Sequence, residues 1–272
     1  MVSLDADWID ILRPEEAELA EYTLFELGAQ GIEEVDGNPP LLRAWFPTGF
    51  DVLRLAEFTV VGTGHVEGQD WDLSWRLQQE PIRVTDSLWV VPPWVEAPQD
   101  AVQVLKMEVK QAFGTGGHES TRLACQLLEA LECPGKSVFD LGAGTGILGF
   151  YALRLGAASC VLCDIEPEAM ECLAENAKLN DIPEWTGWTG SLEGLSDQSF
   201  DIFLANMLRS EFFPLRASAL PRIKVGGAII LSGYLFTERE LVLEWFARDG
   251  FVLESEKREG DWWACTGRRV NG

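Results

Sequence analysis

Four segments hold residues whose types and spacing can do chemistry. The first is Val138-Phe-Asp-Leu-Gly-Ala-Gly-Thr-Gly-Ile-Leu-Gly149, where Asp140 precedes Gly142, Gly144 and Gly146. Glycines let a backbone turn tightly and approach a ligand with no Cβ in the way. The second is the apolar run Ser159–Ile165, which carries Asp164 next to Ile165, 18 residues beyond Gly146. A carboxylate at the end of such a run can accept hydrogen bonds from both hydroxyls of a ribose. The third, Asp201-Ile-Phe-Leu-Ala-Asn-Met-Leu208, is an apolar run that ends in the polar Asn206. The fourth is Ala112-Phe-Gly-Thr-Gly-Gly-His-Glu-Ser-Thr121, three glycines among polar groups, a loop able to wrap a ligand.

Two readings of the glycine loop compete. Gly144-x-Gly146-x-x-Gly149 matches the dinucleotide fingerprint in letters, but its first glycine comes three residues after the strand end at Leu141, where that fingerprint wants it at once. The pattern also reads as D-x-G-x-G-x-G led by Asp140. That form suits S-adenosylmethionine, which has no diphosphate to aim at a helix N-terminus and whose ammonium group suits an acid. Asp164 fits an adenosine in either case. The loop's placement favours S-adenosylmethionine. A nicotinamide-dependent oxidoreductase is the competing enzyme class, and a helix-packing glycine cluster with no ligand is the plain structural alternative.

The elements that must hold these groups alternate. Strands fit Ser137–Leu141, Ser159–Ile165, Phe200–Asn206 and Ala228–Ser232, and helices fit Thr121–Leu131, Ile147–Leu155, Pro167–Leu179 and Glu238–Asp249. Alternation of this kind predicts a mostly parallel sheet covered on both faces. The tail, Phe251–Ser255 and Trp262–Gly267, reads as a closing hairpin. Near the start, strands at Trp8–Leu12, Gly31–Val35 and Leu41–Phe46, a helix over Ala17–Leu27 and a second short helix over Asp51–Val60 fit a ferredoxin-like α/β domain. Between the two lies a stretch with Trp71, Trp75, Trp89 and Trp94 among Pro81, Pro92, Pro93 and Pro98. It reads as a packed linker. The division is therefore 1–68, a linker over 69–105, and a catalytic domain over 106–272.

Composition bounds the partners. At 272 residues and 47% hydrophobic, the chain can build a sizeable core. No apolar run reaches the roughly 20 residues that cross a bilayer, and the acidic N-terminus is unlike a secretory signal. A cytoplasmic protein with no membrane contact is the expectation. The 44 acidic and 21 basic residues give a net charge of −23. Such a surface repels nucleic acid and attracts a basic protein. Cys160 and Cys163 form a C-x-x-C, but residues three apart on a strand face opposite ways, so two reduced core thiols are expected. With only two histidines in the chain, no metal site is expected.

Phe113-Gly-Thr-Gly-Gly-His-Glu-Ser-Thr121, Asp140-Leu-Gly-Ala-Gly-Thr-Gly146, Asp164-Ile-Glu-Pro167 and Ala205-Asn-Met-Leu208 together closely resemble the bacterial ribosomal-protein methyltransferase family (PrmA), which modifies large-subunit ribosomal protein eleven. The resemblance extends to Glu26-Leu-Gly-Ala-Gln-Gly-Ile32, Gly260-Asp-Trp and Gly267-Arg, and so covers most of the chain. It implies a class I methyltransferase fold, α/β and Rossmann-like with a mostly parallel seven-stranded sheet, behind a smaller N-terminal ferredoxin-like domain that recognises the substrate. Thr121, Gly142, Asp164 and Asn206 fall on the family's S-adenosylmethionine-contacting positions. Phe113, Gly114, Thr115, Asp140, Gly144, Gly146 and Ile165 complete the expected binding set.

The implied reaction is amine methylation, on lysyl side chains or an N-terminal amine of a basic ribosomal protein. Asn206 is the expected catalytic residue, its side-chain oxygen accepting the amine's hydrogens with no dedicated base. His118 is expected to order the glycine loop. No direct nucleic-acid substrate is implied, and a monomer is expected. The chain departs from the family pattern in three places: Glu108-Val-Lys-Gln111 stands before the loop, Ser120-Thr121 stands for the loop's paired threonines and keeps a hydroxyl, and Met-Leu-Arg-Ser follows Asn206 in place of Ile-Leu-Ala. Arg209, beside the acceptor channel, is a point where substrate choice can change.

Overall fold

A computed structural model of the chain describes residues 6–14, 17–35, 39–66, 79–107, 116–183 and 185–270. The chain divides into two compact units, Met1–Gln79 and Glu80–Gly272.

In the first unit, β1 (Ala6–Leu12), α1 (Ala17–Glu26), β2 (Gly31–Val35), β3 (Leu41–Pro47) and β4 (Val60–Val66) build an antiparallel sheet in the order β2-β3-β1-β4. This is the ferredoxin-like order. Alternate residues of β1 and β3, namely Ile9, Ile11, Leu42, Ala44 and Phe46, form its core with Ala20 and Leu24 of α1, as the two-residue strand period requires. On the opposite face Trp8 lies across Gly62 and Gly64, and Arg43 stacks over Trp8 while gripping Asp10 through two bonds of 2.7 and 2.9 Å. The short helix expected over Asp51–Val60 is reduced to one 3₁₀ turn, Val52–Leu55. Leu12 N–H already donates to Thr59 O, and Ile11 pairs with Val60, so the chain is back in the sheet before a second helical turn can form.

The second unit opens with β5 (Ile82–Arg83), β6 (Leu88–Val91) and β7 (Gln103–Lys106), a three-stranded sheet lying within the segment read as linker. Trp71 and Trp75 of that segment lie outside the described residues. The turn between β5 and β6 is fastened by three hydroxyls, of Thr85, Ser87 and Tyr151, that all donate to Glu129 Oε1.

Then follow α2 (Glu119–Glu129), β8 (Ser137–Leu141), α3 (Ile147–Arg154), β9 (Ser159–Asp164), α4 (Pro167–Leu179), β10 (Trp185–Thr189), β11 (Phe200–Asn206), two single-turn helices α5 (Arg209–Phe212) and α6 (Arg216–Ala219), β12 (Ile223–Leu235), α7 (Arg239–Arg248), β13 (Phe251–Glu259) and β14 (Trp262–Arg269). Strands β8 to β14 form a seven-stranded sheet in the order β10-β9-β8-β11-β12-β14-β13. The first five are parallel, and β14 is antiparallel to both its neighbours. This is the expected α/β architecture, hairpin included.

Side chains of β8 alternate between the two layers. Val138 packs with Leu123, Ile147, Phe150 and Leu173 under the helices of one face, while Phe139 and Leu141 pack with Val242, Trp245 and Phe246 under α7 on the other. Cys160 and Cys163 are likewise split between the two cores, and all six thiols are free and buried.

Candidate active site

Strand β8 is the point where chain order reverses: β9 and β10 lie to one side of it, β11 and β12 to the other. Open α/β sheets bind ligands in the crevice beyond the strand ends at such a point. The loop leaving β8 makes that crevice. Gly142, Gly144 and Gly146 have φ of 69°, 54° and 82°, a region closed to most L side chains. A Cβ at Gly142 would also lie 2.6 Å from Met207 Cε.

Asp140 shares Val138's face of β8, so its carboxylate lies beneath α3. It is fully buried, and Oδ2 accepts the N–H of Gly149, the third residue of the helix, at 2.9 Å. Burial raises its pKa to about 7, against the lowering effect of the Gly149 N–H and with a further upward push from Asp164. A helix N-terminus attracts negative charge, and dinucleotide loops use it to hold a diphosphate. Here the chain's own carboxyl group takes that place.

Asp164, the last residue of β9, is also buried. Its Oδ2 accepts from Gly144 N at 2.8 Å and its Oδ1 from Glu166 N at 3.0 Å. The acid thereby ties the glycine loop to its own strand, and each oxygen keeps a further lone pair for a ligand hydroxyl. Ile165 beside it is 69% exposed, an apolar surface at the rim of the crevice. Gly190 N donates to Asp164 O at 2.7 Å, which brings the loop after β10 alongside.

Asn206 ends β11. Its Nδ2 donates to Thr121 Oγ1 at 3.3 Å, while its Oδ1 is buried with no hydrogen-bond partner among the described residues. Thr121 is fully buried in the first turn of α2. That turn is stitched to the sheet by Ser232, the register partner of Asn206, whose Oγ donates to Ser120 O at 2.7 Å.

His118 caps α2, its Nδ1 accepting from Ser120 N at 3.2 Å, and its ring meets Trp262 edge-on with centroids 4.7 Å apart. Arg122 bonds Gly117 O and grips Glu259 through Nε and Nη2. His118 thus belongs to the scaffold that holds the start of α2.

The sequence-derived set therefore meets in three direct contacts: Thr121 with Asn206, Gly144 with Asp164, and Asp140 with the helix that Gly146 opens. Phe113, Gly114 and Thr115 lie outside the described residues. Ser232 was not singled out from sequence. Ser232-Gly233 after the apolar run Ala228–Leu231 carries the same signal as Asn206, a polar residue ending a buried strand.

A family model described as Ribosomal protein L11 methyltransferase (PrmA) matches residues 50–270. The chain is 40% identical over 213 residues to the ribosomal protein L11 methyltransferase of Pelobacter propionicus, covering 75% of this chain and 68% of that protein. It is 33% identical over 291 aligned residues to that of Pseudomonas paraeruginosa, covering 96% and 98% of the two. Among solved structures, the ribosomal protein L11 methylase of Lactobacillus delbrueckii subsp. bulgaricus superposes with a TM-score of 0.66 at 28% identity, over 71% of this chain and all of that one. The chain belongs to the ribosomal protein L11 methyltransferase (PrmA) family of S-adenosylmethionine-dependent protein methyltransferases.

Proposed function

We propose that this chain transfers methyl groups from S-adenosylmethionine to amino groups, on lysyl side chains or the N-terminus, of the basic ribosomal protein L11 named in its relatives. The observation that carries the reading is Asn206 Oδ1, buried with no hydrogen-bond partner among the described residues and held in place through Thr121. Such an oxygen is matched by an N–H donor, which is what an acceptor amine brings.

Bound S-adenosylmethionine supplies an electrophilic methyl group on a positively charged sulfur. Asp164 holds the ribose hydroxyls with the lone pairs its two backbone N–H bonds leave free. Ile165 offers its exposed side chain to the adenine. Gly142 and Gly144 give the donor's amino acid end close access to backbone, and Asp140 and Gly146 keep that loop in shape from beneath. Phe113, Gly114 and Thr115 complete the donor-binding set by resemblance to the family.

A lysyl amine has an unperturbed pKa near 10.4. Leaving water disfavours its charged form, so the proton is lost to solvent on entry. Asn206 Oδ1 then accepts one remaining N–H, and a backbone carbonyl at Met207 or Leu208 accepts another, aiming the nitrogen lone pair at the methyl carbon. No side chain need act as base, since positioning and water exclusion supply the rate. We assign recognition of the protein substrate to residues 1–68, with 69–105 joining them to the catalytic residues 106–272. The net charge of −23 favours approach of a basic protein.

Mass spectrometry of ribosomal protein L11 after incubation with the enzyme and isotope-labelled S-adenosylmethionine tests the reading. Whole-methyl increments on lysyl or N-terminal amines are expected. An enzyme that binds the donor yet leaves this protein unlabelled while methylating free small amines overturns it.

A further inference from the structure

The two strands nearest the acceptor side of Asn206 leave the sheet through the same motif. β11 runs out through Leu208-Arg-Ser-Glu211 and β12 through Leu235-Phe-Thr-Glu238. In each, the leucine N–H donates to the glutamate three residues on, Leu208 to Glu211 Oε2 and Leu235 to Glu238 Oε2, both at 3.1 Å. In each, the leucine side chain is left in water: Leu208 is 51% exposed and Leu235 44%, with Phe236 beside it at 40%. Leu208 lies two residues past Asn206, and Leu235 three past Ser232, the register partner of Asn206.

One ion pair locks the two turns together. Arg209 Nε donates to Glu238 Oε1 at 2.5 Å, so Glu238 closes its own turn with one oxygen and holds the neighbouring turn with the other. The guanidinium also lies 5.4 Å from the centre of the Phe213 ring, which packs edge-on against Tyr234. On the far side, Phe236 N donates to Asp261 O in the β13–β14 turn, and Arg258 sits 4.1 Å over the Phe236 ring. Both turns are thus braced, and they display Leu208, Leu235 and Phe236 beside the exposed polar side chains of Ser210, Glu211 and Thr237. An arginine here would oppose a cationic acceptor if it stood alone, and Glu238 removes that cost. Clustered exposed apolar side chains at the edge of a polar site mark a place where something apolar docks.

We propose that Leu208, Leu235 and Phe236 form an apolar lip for the aliphatic stem of the acceptor's lysyl side chain, and that the Arg209–Glu238 pair is the positioning device that fixes this lip beside Asn206. The proposal rests on the amine-methyltransferase reading and adds its acceptor specificity. A lysyl side chain fits the place: four methylenes to lie against the lip, with a nitrogen at the end to reach Asn206.

The test is steady-state kinetics on ribosomal protein L11 for Arg209→Ala, Arg209→Lys and Leu235→Ser, with donor affinity followed by calorimetry. Arg209→Ala and Leu235→Ser are expected to raise KM for the protein about tenfold, the scale of losing a methylene-sized apolar contact, with a smaller change in kcat and unchanged donor affinity. Arg209→Lys, which keeps the ion pair, should recover most of the loss. Site-resolved mass spectrometry should show lysyl methylation falling more than any N-terminal methylation, because an α-amine has no stem to grip. Equal KM in all three variants, with donor binding intact, overturns the lip. Should Arg209→Ala lose donor binding and so prove misfolded, Leu235→Ser on the open rim decides alone. A wild-type enzyme that methylates no amine of the protein defeats the underlying reading instead, and the two failures are thereby told apart.

Discussion

Asn206 gives its amide N–H to Thr121 Oγ1 at 3.3 Å and keeps its carbonyl oxygen buried without a partner among the described residues. A buried polar atom left unmatched costs about 1–3 kcal/mol, so the oxygen is held in a state that an arriving N–H relieves. Asn206→Ala should lower kcat by about 100- to 1,000-fold, the scale of one preorganised hydrogen bond, while calorimetric affinity for S-adenosylmethionine stays within severalfold. Thr121→Val keeps the volume but frees the amide to rotate, and a smaller loss of about tenfold is expected. Full activity in Asn206→Ala would remove the residue from the mechanism.

Asp164 answers to two backbone N–H groups, of Gly144 and Glu166, and its assigned ligand role adds the ribose hydroxyls. Hydrogen bonds to a charged group contribute about 1.5–3 kcal/mol each, so Asp164→Ala should weaken donor binding by about 100-fold or more. Asp164→Asn keeps one acceptor oxygen and should fall between the two. Titration of S-adenosylmethionine into each variant measures this directly, and equal affinity across the series contradicts the ribose assignment.

Asp140 imposes a pH dependence of unusual sign. Its pKa is raised by burial from 3.8 to about 7 in the folded chain, so between those values the native state binds more protons than the unfolded one. Stability from this group is fully present below about pH 4 and is lost as pH rises through about 7. Asp140→Asn cannot ionise and still offers an oxygen to Gly149. Relative to that variant, the wild type should lose up to about 1.4 kcal/mol per pH unit across this window. Urea melts of both proteins from pH 5 to 8 check it, and parallel curves would refute the buried-carboxyl account.

The parallel core and most of the site could be read from sequence because β8, β9 and β11 are mostly apolar runs, each ending in or followed by a glycine or polar residue that marks the crevice. β10 escaped because Trp185-Thr-Gly-Trp-Thr189 has no aliphatic run. It is an edge strand paired only to β9, and its largely open side chains leave little pattern. The small sheet of β5 to β7 escaped because its strands are two to four residues long among prolines, and because what secures it is distant: the Thr85 and Ser87 hydroxyls meet Glu129 more than 40 residues on. The partner of Arg209 lies 29 residues away at Glu238, so the sequence marked the arginine as a departure without showing what holds it. Contacts made across turns between neighbouring strands leave no periodicity to read.

Asp201 provides the opposite pH dependence, at the end of the sheet away from the crevice. It stands at the start of β11, and its Oδ2 accepts from Ser137 N at 2.9 Å, Ser137 Oγ at 2.6 Å and Lys224 Nζ at 2.9 Å, so one carboxylate joins the beginnings of β8, β11 and β12. Burial pushes its pKa up, but the Ser137 and Lys224 bonds outweigh that and bring it from 3.8 to about 2. A lowered acid contributes stability that is present above about pH 4 and lost as pH falls toward 2. Because the group is partly open to solvent, screening limits the contribution to about 1 kcal/mol. Asp201→Asn should therefore be less stable by about that amount at pH 7, should converge on the wild type near pH 2, and should leave donor affinity and kcat untouched because it lies at the far end of the strands from Asn206. Denaturant melts at pH 7, 4 and 3, with donor calorimetry alongside, measure all three. A variant that matches the wild type at pH 7 would show that hydrogen bonding by the neutral amide replaces the carboxylate in full.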